Sequence, residues 1–345
     1  MSGLAACPAV ERLQPAWSDE LPEAVASLAW IDDDVLVGAA DGNVRRYAAD
    51  GRLAYQLALH SAGVTRLQPR PDAQAVASAG EDGRVLLWAP GDGKLLAELA
   101  NESAWIEHLA WSSDGHTLAA AAEKTIYLWR DSESLGVWYD ARRRVLAMAW
   151  APDGKRLATA ANKGLYLWRI GGQEPVQLLE FPGAPVAVAW EERGAALAVG
   201  TQDGFLQIWQ QGKSGPARQL TMRGYPGKVA CLDWHPSQPL IATAGGPEIV
   251  LWPTREAGGA RNAQPLRAHG ATVTALAYAP DASLLISGDR AGRICVWGPG
   301  GVLLQVEELR AEITTLVWSS DSTRCVCGTA NGLLQLYAVP TGAPG

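Results

Sequence analysis

The fold is decided by the stretch AVASAGEDGRVLLW, residues 75–88, and by its periodic recurrence along the chain. It joins a run of small residues, an Asp-Gly turn at Asp82 and Gly83, and a short β-rich run that ends in Trp88. Asp and Gly favour tight turns between strands, so the stretch predicts an antiparallel hairpin. Comparable runs ending in an aromatic residue are NVRRY (43–47), RVLLW (84–88), TIYLW (125–129), GLYLW (164–168), FLQIW (205–209), EIVLW (248–252), RICVW (293–297) and LLQLY (333–337). Their final aromatics lie 39 to 45 residues apart, which indicates eight structural repeats.

Each repeat carries two further segments in constant order. A run of the form Val/Ile-x-x-Leu-x-Trp, such as VASLAW at 25–30, precedes the small residues; the second repeat has the divergent VTRLQP at 64–69. A weaker fourth strand follows the aromatic in seven repeats, whereas only AVPTGAPG follows Tyr337. The run VERLQPAW at 10–17 is therefore predicted to supply the outer strand of the last sheet. This closure leaves no long internal edge strand unpaired.

Four strands in roughly 40–45 residues, with an Asp-Gly turn before a strand-terminal Trp, resemble the WD-repeat β-propeller family. The resemblance covers about residues 10–338. It implies an all-β, eight-bladed β-propeller of four-stranded antiparallel blades, closed by the N-terminal strand at 10–17. The chain is then a single domain over residues 1–345 with a short tail at 339–345. Seven blades are the alternative, because a degenerate repeat can serve as an extension.

The resemblance also implies a buried tetrad of His, Ser or Thr, Asp and Trp inside individual blades. The second repeat matches it fully with His60, Ser78, Asp82 and Trp88. The seventh repeat keeps His269, Ser287 and Trp297 but has Ala291 where the family has Asp. The other repeats depart further, so no subfamily is assigned.

Composition excludes several classes of protein. A formal net charge of −7 argues against nucleic acid as a partner, because a protein of negative net charge does not attract the phosphate backbone. No apolar run approaches the roughly 18 residues of a membrane helix. The N-terminus lacks the pattern of a signal peptide and the 5 Cys are scattered, so a cytoplasmic protein is expected. The Ala-rich, degenerate repeats suggest a bacterial chain.

The sequence contains no recognisable catalytic or phosphate-binding motif, so we expect no enzyme, no cofactor and no metal site. The best metal-like group is Cys325 and Cys327, with Cys295 expected nearby, together with Cys231 and His235. Its spacing matches no standard zinc module, and small Cys commonly fills sheet interfaces, so buried core thiols are the preferred interpretation. A metal-handling or cofactor-associated accessory protein that uses these Cys and His positions is the alternative function.

Function is therefore expected on the surface. In the family resembled, the loops before the first strands and the turns between second and third strands ring the top of a central channel, where partners usually dock. These positions hold Trp105, Arg142, Arg143, Arg144, Tyr225, Lys228, Arg290, Arg310, Glu312 and Glu81. Trp and Arg contribute strongly to interfaces, so we expect a non-enzymatic scaffold that binds a protein or peptide bearing acidic groups, as a subunit of a larger complex. The alternative for Trp105 is packing between blades.

Overall fold

The structure is a computed structural model that describes residues 13–101, 104–139, 144–161, 164–172, 174–180, 183–210, 218–254 and 262–340. Its strands form eight four-stranded antiparallel sheets, and each sheet is one blade of an eight-bladed β-propeller. The first strand of every blade contacts the first strands of the two neighbouring blades, so the blades form a closed ring around a channel. Blades are numbered here by the repeat that supplies their first three strands.

The strand bounds follow the repeats closely. β1 (Gln14–Glu20) precedes the first repeat. Blades 1 to 4 contain β2 (Val25–Ile31), β3 (Asp34–Ala39), β4 (Asn43–Tyr47), β5 (Leu53–Ala58); β6 (Val64–Pro69), β7 (Val76–Gly80), β8 (Arg84–Trp88), β9 (Leu95–Asn101); β10 (His108–Trp111), β11 (Thr117–Ala122), β12 (Thr125–Arg130), β13 (Glu133–Tyr139); β14 (Val145–Trp150), β15 (Arg156–Ala161), β16 (Gly164–Arg169) and β17 (Gln177–Glu180). Blades 5 to 8 contain β18 (Pro185–Trp190), β19 (Ala196–Thr201), β20 (Leu206–Gln210), β21 (Arg218–Met222); β22 (Cys231–Trp234), β23 (Leu240–Ala244), β24 (Glu248–Pro253), β25 (Gln264–Arg267); β26 (Val273–Tyr278), β27 (Leu285–Asp289), β28 (Arg293–Gly298), β29 (Val302–Glu308); β30 (Ile313–Trp318), β31 (Arg324–Thr329) and β32 (Leu333–Ala338).

The N-terminal strand closes the ring as predicted. β1 pairs antiparallel with β32, with Trp17 opposite Leu336, and so becomes the outer strand of blade 8. The strand runs from 14 to 20, further along the chain than the predicted 10–17, and residues 10–12 lie outside the described residues. The indole of Trp17 stacks on Tyr47 of blade 1 at a centroid distance of 5.4 Å, so the closing strand also contacts the neighbouring blade.

Small residues in the second strands let neighbouring blades pack closely. A Cβ at Gly38 of β3 would lie 2.6 Å from Cγ1 of Val64 in blade 2. A Cβ at Gly288 of β27 would likewise lie 2.6 Å from Cγ2 of Ile313 in blade 8. The aliphatic residue that opens one first strand therefore occupies the space left by a glycine of the preceding blade, which accounts for the small-residue runs.

Periodic Trp residues join the blades by hydrogen bonds as well as by packing. In six blades the Trp at the end of the first strand donates its indole N–H to a backbone carbonyl of the preceding blade. The donor and acceptor pairs are Trp30 and Val317, Trp111 and Gln68, Trp150 and Ala110, Trp190 and Ala149, Trp234 and Ala189, and Trp318 and Ala277, at 3.0–3.2 Å. Each acceptor immediately precedes the corresponding position of its own blade. Six of the 15 Trp in the sequence thus make one repeated contact between blades.

The tetrad of blade 2 forms as predicted. His60 Nδ1 lies 2.9 Å from Asp82, His60 Nε2 lies 3.0 Å from Ser78 Oγ, and Trp88 donates its indole N–H to the same Oγ. Burial lowers the pKa of His60 despite the nearby carboxylate. His60 is therefore a structural residue inside the blade, as the family resemblance implied.

The tetrad of blade 7 is complete, which corrects the expectation of a missing aspartate. His269 Nε2 lies 2.8 Å from Ser287 Oγ, and Trp297 donates to that oxygen at 2.8 Å. The carboxylate comes from Asp289, whose Oδ2 lies 3.1 Å from His269 Nδ1. Asp289 is the last residue of β27, two positions before Ala291, and reaches the imidazole from the strand end instead of from the turn.

Candidate functional site

The loops before the first strands and the turns between second and third strands lie at one end of every blade, because successive strands alternate in direction. Backbone hydrogen bonds join the two sets of loops. Glu81 N donates to Gly63 O at 2.8 Å, and Arg290 N donates to Thr272 O at 2.9 Å. This end of the ring is called the top face below.

A cavity of about 470 Å³ opens on the top face beside the channel, where loops and strands of blades 1 to 4 meet. It is called the mouth cavity. Trp105, Glu81 and Arg144, three of the residues predicted from sequence, line it. The side chain of Trp105 is 56% exposed, so its indole faces solvent instead of packing between blades. An exposed indole beside charged groups has the composition of an interface hot spot.

An ion pair borders the mouth cavity. Arg144, which precedes β14, forms a two-pronged salt bridge with Glu107, which precedes β10; Arg144 Nε lies 3.1 Å from Oε2. These hydrogen bonds raise the pKa of Arg144 above its ordinary value. Because the pair links blades 3 and 4, it holds the rim beside Trp105 in one geometry, although an exposed pair contributes little to stability.

The channel continues below the mouth cavity as a second cavity of about 400 Å³. Its wall combines aliphatic side chains such as Leu146 and Leu232 with polar ones such as Gln68. Arg66 and His108 line both cavities and form the neck between them. Burial, together with the positive charge of Arg66, lowers the pKa of His108 to about 4, so this imidazole is neutral near pH 7. The neck therefore carries the positive charge of Arg66 beside a neutral imidazole.

Arg66 and His108 were not among the predicted site residues. Both occupy the third position of the Val/Ile-x-x-Leu-x-Trp run, where blades 4 and 5 have Ala147 and Ala187. The sequence did contain a sign of them, because both are large where other repeats have a small residue. For Arg66 this departure is part of the divergent run VTRLQP.

The remaining predicted residues do not join the mouth cavity. Arg290 pairs with Glu312 at 3.4 Å across blades 7 and 8. Lys228 and Arg310 are exposed in the loops before β22 and β30. Arg142 and Arg143 lie outside the described residues.

Tyr225 is half-buried and serves the interior of blade 6 instead of the surface. Its hydroxyl accepts a hydrogen bond from the indole N–H of Trp252 and also bonds Thr243, so it occupies the place of the tetrad histidine. Its phenol group is therefore engaged within the blade.

The cysteines do not assemble. Cys325 and Cys327 pack between blades 7 and 8, whereas Cys295 and Cys231 pack between blades 6 and 7, so the expected proximity of Cys295 to the first two is wrong. Burial raises the pKa of Cys295 and Cys327 to about 12, which keeps them as thiols. In the part of the chain that the structure describes, no group of three or more His, Cys, Asp or Glu side chains could hold a metal ion.

Comparison with known proteins gives the family. The family described as WD domain, G-beta repeat (WD40) matches residues 51–89, 93–130, 133–169, 217–252 and 261–298, together more than half of the chain. The chain belongs to the WD40 repeat family. Each matched segment begins at the outer strand of one blade and ends at the third strand of the next, so every sequence unit spans two blades.

Curated relatives match parts of their length. The chain is 29% identical over 177 residues to the small ribosomal subunit protein RACK1y of Oryza sativa, covering 51% of this chain and 43% of the relative. It is 26% identical to telomerase protein component 1 of Rattus norvegicus, covering 89% of this chain and 14% of the relative. It is 24% identical to WD repeat-containing protein 70 of Xenopus tropicalis, covering 45% of this chain and 27% of the relative. The chain thus spans less than half the length of these relatives.

Solved structures share the fold. Sqt1 from Chaetomium thermophilum superposes with a TM-score of 0.83 at 19% identity, covering 96% of this chain and 99% of that chain. Sqt1 bound to the N-terminus of the ribosomal protein L10 superposes with a TM-score of 0.80 at 20% identity, covering 92% and 97%. The computationally designed protein Ika8 gives 0.80 at 24% identity, covering 94% and 100%. Among the described residues, no helix is long and apolar enough to cross a membrane.

Proposed function

We propose that this chain is a non-catalytic scaffold that binds a protein or peptide at the mouth cavity and acts as a subunit of a larger complex. The observation that carries the proposal is the indole of Trp105, 56% exposed at the edge of an open cavity and bordered by the Arg144–Glu107 ion pair. Truncation of such aromatic and Arg residues is what most weakens interfaces. The cytoplasmic location and the bacterial source stay predictions.

The similar proteins support this reading. Sqt1 has the same fold and has been solved with the N-terminus of a ribosomal protein, and RACK1y is described as a ribosomal subunit protein. Both descriptions concern proteins that associate with other proteins.

The proposal is tested by affinity capture followed by direct binding of the purified partner. We expect Trp105→Ala and Arg144→Glu each to lower the affinity for the partner by about tenfold or more, since both side chains border the cavity. Val302→Ala is the matched control, because Val302 is 58% exposed on the outer strand β29, away from the top face. Equal affinity of the wild type and both top-face variants for every captured partner would refute the mouth cavity as the binding site.

A further inference from the structure

Arg66 of β6 is a cation that the described residues do not pair. Its guanidinium has several N–H donors, yet within the described part of the chain its side chain makes a hydrogen bond only to the carbonyl of Thr65, at 2.9 Å. Glu107 is the carboxylate that acts on it electrostatically, and both oxygens of Glu107 are already bonded to Arg144. Arg66 thus retains N–H donors that are available to an anionic ligand.

The surroundings leave this charge accessible to a ligand. Arg66 is exposed in the neck between the two cavities, beside the neutral imidazole of His108. The enclosing blades shield the guanidinium partly from bulk water, which lowers its pKa from the ordinary value. A carboxylate that enters such a concave site is attracted more strongly than one on an open surface, because less water screens the two charges.

The other described cations of the top face are less suited to select an anion at this site. Arg144 and Arg290 are already paired with Glu107 and Glu312. Lys228 and Arg310 line neither of the two cavities. A pre-existing pair must be broken or shared before it binds a new carboxylate, whereas Arg66 needs no such exchange. Charge complementarity therefore places the preference for acidic groups at Arg66.

We infer that the neck at Arg66 binds the carboxylate of an Asp or Glu side chain from an extended peptide, while an adjacent apolar side chain of that peptide packs against Trp105. The inference rests on the proposed function and names the chemistry of the partner. The mouth cavity and the second cavity below it, about 470 and 400 Å³, have room for a few side chains. Leu146, which lines both cavities, offers an apolar contact to the methylene groups of such a side chain. A polyanion such as nucleic acid is disfavoured by the net charge of −7.

The test begins with selection of random dodecapeptides on the purified wild-type protein. Each selected peptide is then synthesised with its acidic residue intact and with Glu→Gln or Asp→Asn, and its Kd is measured for wild type, Arg66→Met and Trp105→Ala. We expect the acidic-to-amide change to weaken peptide binding to the wild type by about 10- to 100-fold, because it removes a charge-assisted hydrogen bond to Arg66. The same change is expected to leave binding to Arg66→Met almost unaffected, because that variant has already lost this bond. Arg267→Met is the matched control, since Arg267 is an exposed arginine on the outer strand β25.

Folding provides a separate readout. Arg66 is exposed and forms no ion pair among the described residues, so replacement by Met is expected to leave Tm almost unchanged, and weaker binding then reflects recognition. One outcome would overturn the inference and leave the proposed function intact. In that outcome the peptides bind Trp105→Ala more weakly than wild type, yet they bind Arg66→Met within twofold of wild type. Their Glu→Gln or Asp→Asn versions also bind wild type within twofold of the acidic peptides. Dependence on a free C-terminal carboxylate instead of an acidic side chain would also overturn it. Selection without any peptide sensitive to Trp105 or Arg144 would overturn both.

Discussion

Oδ2 of Asp289 lies 3.1 Å from Nδ1 of His269, and both side chains are fully excluded from solvent. The other carboxylate oxygen, Oδ1, accepts the backbone N–H groups of Ala291 and Arg293, each at 2.9 Å. One carboxylate therefore orients the imidazole of the tetrad and closes the turn between β27 and β28. The tetrad of blade 7 is held by an aspartate at a position different from that of blade 2.

Replacement of Asp289 by Asn is expected to lower stability. The amide keeps the size of the side chain, but it removes the negative charge that the imidazole and two backbone N–H groups contact. We expect a loss of about 1–3 kcal/mol in the free energy of unfolding, as for other buried hydrogen bonds to charged groups. Thermal unfolding followed by circular dichroism measures the change. Asp203→Asn is the control, since Asp203 is exposed in the equivalent turn of blade 5; equal shifts for the two variants would contradict the role of Asp289.

The repeated indole contact between blades gives a second prediction. Trp150 donates its N–H to Ala110 O at 3.0 Å, and Phe would keep an aromatic ring there while leaving that carbonyl without its donor. We expect Trp150→Phe to lower the free energy of unfolding by about 1–2 kcal/mol. Trp105→Phe, at an exposed position, is expected to change it by less than about 0.5 kcal/mol. Differential scanning calorimetry compares the two, and a Trp150→Phe variant as stable as wild type would show that packing alone joins these blades.

Periodicity predicted the parts of the fold that repeat. The eight blades, the closing strand and the structural role of most Trp follow from a spacing that recurs along the chain. Deviations within a repeat were harder to interpret. Asp289 was missed because the reach of a side chain from a strand end depends on the local path of the backbone. Trp138 ends neither a first nor a third strand, so periodicity assigns it no role, and in the structure it is buried and stacks on Trp168 at 5.1 Å.

The candidate site was predicted only in part, because the position of a residue in a loop does not fix the direction of its side chain. Loop position alone indicated Trp105, Glu81 and Arg144, which do meet at one cavity. It also indicated Tyr225, whose hydroxyl turned inward to replace a tetrad histidine. Arg66 was missed because it belongs to a strand, and strand residues were interpreted as core. The ring brings strand residues to a channel, so a large charged residue at a usually small strand position carries functional information.

Asp233 of β22 predicts a pH dependence of stability. Its Oδ2 accepts the backbone N–H of Tyr278 at 2.7 Å, and burial raises its pKa to about 7. The unfolded chain has the ordinary value near 4, so between about pH 4 and pH 7 the folded protein binds more protons than the unfolded protein. The stability gained from the neutral carboxyl group is therefore complete below about pH 4 and is lost as pH rises through 7. His108, with its lowered pKa, contributes with the opposite sign in part of this range.

Asp233→Asn isolates the contribution of this carboxyl group, because the amide stays neutral at every pH and its oxygen can still accept the N–H of Tyr278. Relative to wild type, we expect the variant to be more stable at pH 8 by about 1–3 kcal/mol, and the difference to shrink towards pH 5, where Asp233 is protonated in the folded protein. Urea unfolding at both pH values measures the difference, and the contribution of His108 cancels because both proteins contain it. A variant whose stability relative to wild type is the same at pH 5 and pH 8 would mean that Asp233 is ionised in the folded protein across this range.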